Sequence, residues 1–110
     1  MAACRSSGIK TASAVISGER CKLVSIHAAY TGTTGVTTVS VWDNASAASG
    51  KELARIILRD GDPAGAPPAV GTANSPNIEF DMHGVIASNG LYLSISTGTG
   101  TGAAVSVEFA

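Results

Sequence analysis

The sequence has few aromatic and few charged residues. Of its 110 residues 5% are aromatic and 14% are charged, while 45% are hydrophobic. An average soluble domain is roughly 25% charged, and this composition excludes a highly charged disordered chain. The net charge of -1 gives no electrostatic reason to bind a polyanion, so nucleic acid is not an expected partner.

Long apolar runs are also missing. No run approaches the roughly 18 residues that a membrane-spanning helix needs, so no membrane partner is expected. Met1 is followed by Ala, Ala, Cys and Arg rather than by a positive start and a long apolar stretch, so no secretory signal is expected. A length of 110 residues predicts one domain over residues 1–110.

Cysteine and histidine are scarce. Cys4 and Cys21 are too few for a disulfide scaffold and lack the spacing of metal ligands. They are expected to be reduced thiols, unless the first two strands bring them together as a disulfide. His27 and His83 each lack a second histidine or cysteine at ligand spacing, so the sequence predicts no metal site and no cofactor.

Patterns typical of catalysis are absent as well. Asp60, Gly61 and Asp62 resemble the start of a calcium loop, but no further carboxylate follows at the required spacing, so a turn is the better interpretation. The serines form no Gly-x-Ser-x-Gly elbow, and no glycine-rich stretch joins a strand to a helix. We therefore expect no catalytic residues and a protein that is not an enzyme.

What the sequence does contain is an alternation of apolar and polar residues with a period of two. Runs rich in Val, Ile and Thr alternate with polar residues and are separated by Gly, Asn, Asp and Ser. The predicted strands are 9–16, 21–30, 36–43, 51–60, 77–83, 91–96 and 105–109, with 84–88 as a further short strand or a bend. This pattern predicts an all-β fold, an antiparallel two-sheet sandwich or jelly roll of seven to eight short strands.

Residues 51–60 fit two structures. Their apolar residues suit one face of a helix, but Ala54, Ile56 and Leu58 alternate as they would in a strand. We favour a strand because the apolar run around Ile56 is short, rich in β-branched residues and preceded by Gly50.

Small aliphatic residues must fill most of the core. Phe80 and Phe109 lie on the apolar sides of their runs and are predicted to be its larger members. Asn89 and Gly90 together predict a tight turn before the run 91–96.

Trp42 and Tyr92 lie on the polar sides of their own predicted strands. A simple sandwich would expose both rings, and large exposed aromatic side chains mark contact sites. A covering loop, or a bulge that reverses the register, would bury them instead. The sequence leaves these two alternatives open.

All four prolines lie between residues 61 and 76. Proline cannot donate a hydrogen bond to a sheet, so this stretch is predicted to be an exposed loop that reaches toward a neighbouring subunit. The candidate partner-binding residues are Trp42, Tyr92, Asp62, Pro63, Pro67 and Pro68.

Three segments of the sequence stand out: the opening Cys4-Arg5-Ser6-Ser7-Gly8, the central Val39-Ser40-Val41-Trp42-Asp43-Asn44 and the closing Asn89-Gly90-Leu91-Tyr92-Leu93. They resemble segments of short virion proteins of tailed bacteriophages. Such proteins are β-sandwich building blocks of the particle, either repeated outer components of the head or parts of the tail and fibres. The resemblance supplies no catalytic residues, and the proline-bearing loop is longer than the pattern of these proteins.

This resemblance implies a structural protein on the outer surface of the capsid, made in the host cytoplasm. The specific role that the resemblance implies is that of a head decoration or cement protein, which binds the major capsid protein and self-associates, with a homotrimer favoured. The alternative is a tail, fibre or spike component that binds a receptor on the host surface.

Overall fold

The computed structural model describes residues 4–31, 36–59, 77–96 and 102–110, and within these ranges every regular element is a β-strand. The strands are β1 (Arg5–Ser6), β2 (Ala14–Ser17), β3 (Cys21–Tyr30), β4 (Val36–Asp43), β5 (Lys51–Arg59), β6 (Asn77–Ala87), β7 (Leu91–Ser96) and β8 (Ala103–Phe109). The predicted all-β fold is confirmed, and residues 51–59 form a strand rather than a helix.

The strands form two four-stranded antiparallel sheets. Sheet A has the order β1-β8-β3-β6, and sheet B has the order β2-β7-β4-β5. Each strand of the first half pairs with its counterpart from the other end of the chain: β1 with β8, β2 with β7, β3 with β6 and β4 with β5. This is the pairing of one long hairpin rolled into two sheets, so the sandwich is a jelly roll.

The first part of the described chain crosses from sheet A to sheet B. Pairing with β8 continues beyond β1 to Lys10, whose N–H donates to the Val105 carbonyl at 2.7 Å. After the crossing, the Ser13 hydroxyl accepts a hydrogen bond of 2.9 Å from the Ile95 N–H, and β2 then pairs with β7. The single strand predicted for 9–16 is therefore wrong, because this segment divides its hydrogen bonds between two sheets.

Aliphatic side chains fill the space between the sheets. The buried hydrophobic residues are Leu23, Ile26, Ala28, Tyr30, Val39, Val41, Ile56, Leu58, Ala87, Leu91, Leu93, Ala103, Val105, Val107 and Phe109. Most of them alternate along their strands with outward-facing residues, as the period of two predicts.

Phe80 is not a buried core residue, contrary to the prediction from its run. It lies opposite Ile26 and therefore on the inner side of β6, yet it is 38% exposed. β6 is an edge strand of sheet A, so within the described chain no further strand covers its ring on that side. Phe109 belongs to an internal strand and is only 8% exposed.

Residues 84–87, which the sequence left as a short strand or a bend, continue β6 after a kink. His83 and Gly84 have positive φ angles of 54° and 79°. The Asp81 carboxylate accepts a hydrogen bond of 2.9 Å from the His83 N–H, which holds the kink. Pairing with β3 then resumes and extends to Ala87.

The turn at Asn89 and Gly90 joins the two sheets and does not form a hairpin. It leads from β6 of sheet A to β7 of sheet B. Gly90 has a φ of 142°, and a Cβ atom there would lie 2.5 Å from the Ser17 carbonyl oxygen and 3.0 Å from the Ala45 Cα. Backbone surrounds the position, so only glycine fits it.

We expect Gly90→Ala to lower the free energy of unfolding by about 3 kcal/mol, because the new methyl group must displace backbone at a strained φ. Urea denaturation of the purified protein measures the change. Gly18→Ala is the matched control, since a Cβ atom there meets nothing within 4 Å. Similar losses in the two variants would contradict this account of the turn.

Candidate interaction surface

Trp42 and Tyr92 lie side by side on the outer face of sheet B. They are direct partners in the pairing of β4 with β7. Val41 and Leu93, their neighbours along the chain, are fully buried, so both rings leave the sheet on the opposite side. Each aromatic residue is half-buried. The two strands thus build an aromatic pair on the outside of the sandwich.

The Trp42 indole lies along its own strand. Its Nε1–H donates a hydrogen bond of 2.9 Å to the Ser40 hydroxyl, two residues earlier on the same face. Ser40 is only 7% exposed although it faces outward, because the indole covers it. The register of β4 is therefore not reversed, and the ring is partly covered by contacts within its own sheet.

The neighbouring strands complete this surface. Val15 of β2 lies opposite Tyr92 and is 48% exposed. Glu52 of β5 lies opposite Trp42, and its Oε2 forms an ion pair of 3.0 Å with Nη2 of Arg55. We call the outer face formed by Val15, Ser40, Trp42, Glu52, Arg55, Tyr92 and Ser94 the Trp42 surface. Its two charged groups neutralise each other.

The outer face of sheet A is acidic. Glu79 and Asp81 of β6 lie opposite His27 and Ser25 of β3. Glu108 of β8 accepts a hydrogen bond of 2.9 Å from the Ser25 hydroxyl. Three carboxylates and one exposed lysine, Lys22 of β3, therefore lie on this face and leave it acidic, whereas the Trp42 surface has no net charge. A protein partner can cover the Trp42 surface with less desolvation of charge than on sheet A.

A shallow depression of about 150 Å³ also lies on the outer face of sheet A. Its lining residues are Ile9, His27, Ala29, Ala104 and Ser106. Sites for small-molecule ligands commonly measure about 300–1,000 Å³. The depression is therefore of a size that suits a single side chain.

Asp43 follows Trp42 and fixes the end of β4. Its side chain is nearly buried, and its Oδ1 accepts a hydrogen bond of 2.7 Å from the Asn89 N–H. This bond is the main reason that the pKa of Asp43 lies below its ordinary 3.8, with further lowering by the N–H groups of Ser88 and Gly90 and by Lys51. Burial opposes these effects but does not overcome them. Asp43 thereby holds β4 to the turn that precedes β7.

Asn44 organises the connection from β4 to β5. Its Oδ1 accepts hydrogen bonds of 2.8 Å and 3.0 Å from the N–H groups of Ser46 and Ala47. Its Nδ2 donates to the Ser49 carbonyl at 3.1 Å. These bonds fold residues 44–50 into a compact loop, and this loop leads into β5, where Glu52 lies beside Trp42.

The remaining predicted partner-binding residues, Asp62, Pro63, Pro67 and Pro68, lie outside the described residues. Sequence analysis missed Asp43, Glu52 and Arg55 as parts of this region. The Asp43-Asn44 pair before a loop of small residues was a signal for a turn. It gave no sign of the contact with Asn89.

The cysteines are free thiols, so the disulfide alternative is not realised. Cys4 is exposed and Cys21 is half-buried. Burial raises the pKa of the Cys21 thiol above its ordinary value of 9.0.

The described ranges contain neither a metal-binding cluster nor a membrane-spanning helix. No three His, Cys, Asp or Glu side chains in these ranges are grouped so that they could hold a metal ion. The same residues include no helix that is long and apolar enough to cross a membrane.

Comparisons with known proteins found no matching family model, no similar curated protein and no similar solved structure. The fold and the Trp42 surface are therefore the features of the molecule that bear on its function.

We expect Asp43→Ala to lower the free energy of unfolding at pH 7 by about 2 kcal/mol, because the Asn89 N–H loses a charged acceptor. The lowered pKa means that the carboxylate stabilises the fold fully at pH values well above 3.8. This stabilisation is lost as the pH falls through the folded-state pKa below that value. The difference between wild type and variant should therefore shrink at acid pH.

Urea denaturation at a series of pH values between 7 and 2 measures this difference. Glu79→Ala is the control, since Glu79 is an exposed carboxylate of β6 on the outer face of the other sheet. If the stability difference between wild type and Asp43→Ala stays constant down to pH 2, the ionised Asp43 carboxylate does not stabilise the fold in the way described.

Proposed function

We propose that the protein is a non-enzymatic structural protein of a bacteriophage virion, a head decoration or cement protein that binds the assembled shell. The observation that carries this proposal is the Trp42 surface, an aromatic pair beside an ion pair whose two charges neutralise each other. Aromatic residues are frequent anchors in protein interfaces, and charged residues are depleted at the centres of such interfaces. This face suits contact with a neighbouring subunit.

The fold supports the same proposal. Jelly rolls recur in viral capsid proteins, although they also occur in lectins and cupins. Two of the segments that resemble phage virion proteins contain Trp42 and Tyr92, which lie opposite each other in the sandwich. Because fold alone does not assign a function, the Trp42 surface is the main support for the proposal.

A cement protein acts by mass action. A subunit that binds only the assembled shell stabilises the shell by an amount that grows with the logarithm of its free concentration over the dissociation constant. Each contact needs about 1,000 Å² of buried surface with good complementarity, and repetition over the shell multiplies the effect. The partner is the major capsid protein, and copies of the chain associate with one another as trimers.

Particles that lack this protein should still assemble, because a late-binding decoration does not set the lattice. They should rupture at a lower temperature and in weaker osmotic shock than complete particles. Purified protein added back should restore resistance along a saturating curve. Unchanged resistance together with loss of attachment to host cells would replace this proposal with the tail, fibre or spike alternative.

Trp42→Ala should weaken binding to such particles by about 2 kcal/mol or more, the scale of an aromatic hot spot. The monomer should remain folded, because the ring lies outside the core. Ile86→Ala is the control, since Ile86 is a large apolar residue that is 47% exposed on the outer face of the other sheet. Binding to deficient particles and thermal unfolding are measured in parallel. A monomer destabilised by about 3–5 kcal/mol would show that Trp42 serves the fold instead.

A further inference from the structure

We propose that Asn89 is a site of spontaneous deamidation in the unfolded chain, and that the Asp43 carboxylate and the packing around Gly90 prevent this reaction in the folded protein. The modification therefore accumulates in chains that have lost the fold or have not yet reached it. The inference concerns the covalent lifetime of the chain and is independent of the proposed function.

The residues that react follow each other in the sequence. Asn89-Gly90 is the one place in the chain where glycine follows asparagine. In such a pair the main-chain nitrogen of glycine attacks the side-chain carbonyl carbon of asparagine, because glycine has no side chain to obstruct the approach. A cyclic succinimide forms, the bond to the side-chain nitrogen breaks, and that nitrogen leaves as ammonia with the proton of the attacking N–H. Water then opens the ring and leaves either an aspartate or an isoaspartate.

Exclusion of solvent does not protect this pair. Asn89 is exposed, so water reaches its side chain in the folded protein. Gly90 is buried, although it follows Asn89 directly. Protection therefore depends on how the fold holds the main chain on either side of the reacting nitrogen.

The Asp43 carboxylate lies where ring closure has to take place. Its Oδ1 accepts the Asn89 N–H at 2.7 Å, and the Gly90 N–H is a further hydrogen-bond donor to the same carboxylate. In the succinimide, the side-chain carbon of Asn89 takes the place of the hydrogen on the Gly90 nitrogen. That carbon can reach the nitrogen only after the hydrogen bonds to Asp43 have broken.

Asp43 is poorly suited to act as the base that starts the reaction. Ring closure needs the proton of the Gly90 nitrogen to be removed, and a base is more effective when its pKa is higher. The pKa of Asp43 lies below its ordinary 3.8, chiefly because of the hydrogen bond from the Asn89 N–H. The carboxylate therefore holds the proton in a hydrogen bond and does not remove it. Its negative charge also disfavours a negatively charged nitrogen beside it.

The packing of Gly90 prevents the turn from adjusting to the reaction. A Cβ atom at Gly90 would lie 2.5 Å from the Ser17 carbonyl oxygen, 3.0 Å from the Ala45 Cα and 3.3 Å from the Asn44 carbonyl oxygen. An isoaspartate lengthens the main chain by one carbon immediately before Gly90. Backbone surrounds this position, so the longer chain does not fit the turn.

The aspartate product is disfavoured for a different reason. It has nearly the shape of asparagine, but it places a second carboxylate on the residue whose N–H Asp43 accepts. Like charges in one site oppose the ionisation of both groups. Both products are therefore expected to weaken the turn that joins the two sheets.

Mass spectrometry of the peptide that contains Asn89, after incubation at pH 8, measures the reaction. We expect the folded protein to react at least about 100-fold more slowly than the protein in urea, because only molecules with an open turn can react. Asp43→Ala should accelerate the reaction of the folded protein about 30-fold, in line with its expected loss of stability. Should this variant fail to fold, Asp43→Asn replaces it, and about fivefold is expected because the acceptor remains without its charge.

Val105→Ala is the matched control. Val105 is fully buried and pairs with Ala28, toward the end of β3 that lies away from Cys21 and its partner Ala87. Its replacement lowers stability without touching the turn, so we expect it to accelerate the reaction much less than Asp43→Ala does.

Three results of these rate measurements would overturn the inference. Equal rates in the folded protein and in urea would show that the fold gives no protection. A slower reaction in the Asp43 variant would show that the carboxylate acts as the base. Equal acceleration by Val105→Ala would show that the whole fold, and not Asp43, protects Asn89.

Refolding tests whether the modified chains are excluded from the fold. Protein is held in urea at pH 8 until part of it carries isoaspartate at position 89, and is then returned to buffer. Folded molecules are separated by size-exclusion chromatography, and Asn77, which precedes Ile78, is the internal control for general damage. We expect the folded fraction to be depleted of isoaspartate. A folded fraction with the same isoaspartate content as the starting mixture would contradict the account of the packing around Gly90.

Discussion

The Asp43 carboxylate is the interaction on which one end of the jelly roll depends. It lies at the end of β4 in sheet B and accepts the N–H of Asn89 in the turn that arrives from sheet A. The same turn packs Gly90 against the Ser17 carbonyl of β2 and against Ala45. The hydrogen bond of Asp43 thus ties the end of β4 to this turn, and the turn itself packs against the end of β2. Charged acceptors form the stronger hydrogen bonds, which suits this position.

The position of the aromatic pair follows from this anchor. Trp42 immediately precedes Asp43, and Tyr92 follows the turn by two residues, so both rings lie within a few ångströms of fixed backbone. Ser40 then holds the indole along the strand through its hydroxyl. The Glu52 and Arg55 side chains neutralise each other beside the ring. The hydrogen bond to Ser40 restricts the indole, so less side-chain entropy is lost when a partner covers it.

Alternation along the sequence predicts the side of a strand on which a residue lies, and it is right for Ile56 and Leu58. It does not predict which strands form sheet edges, and Phe80 is exposed for that reason. The candidate site likewise has one part that the sequence predicts and one part that it does not. The outward placement of Trp42 and Tyr92 follows from local alternation, whereas the contact of Asp43 with Asn89 joins residues 46 positions apart and has no local pattern.

The pairing of β1 with β8 has a consequence for biosynthesis. Arg5 pairs with Phe109, so almost the whole chain separates the two partners. β8 also lies between β1 and β3 and supplies hydrogen bonds to both. While the chain is still being made, sheet A therefore lacks an internal strand, and β3 has only β6 beside it. Sheet A can be completed only after β8 has left the ribosome, and contacts of such long sequence separation form slowly.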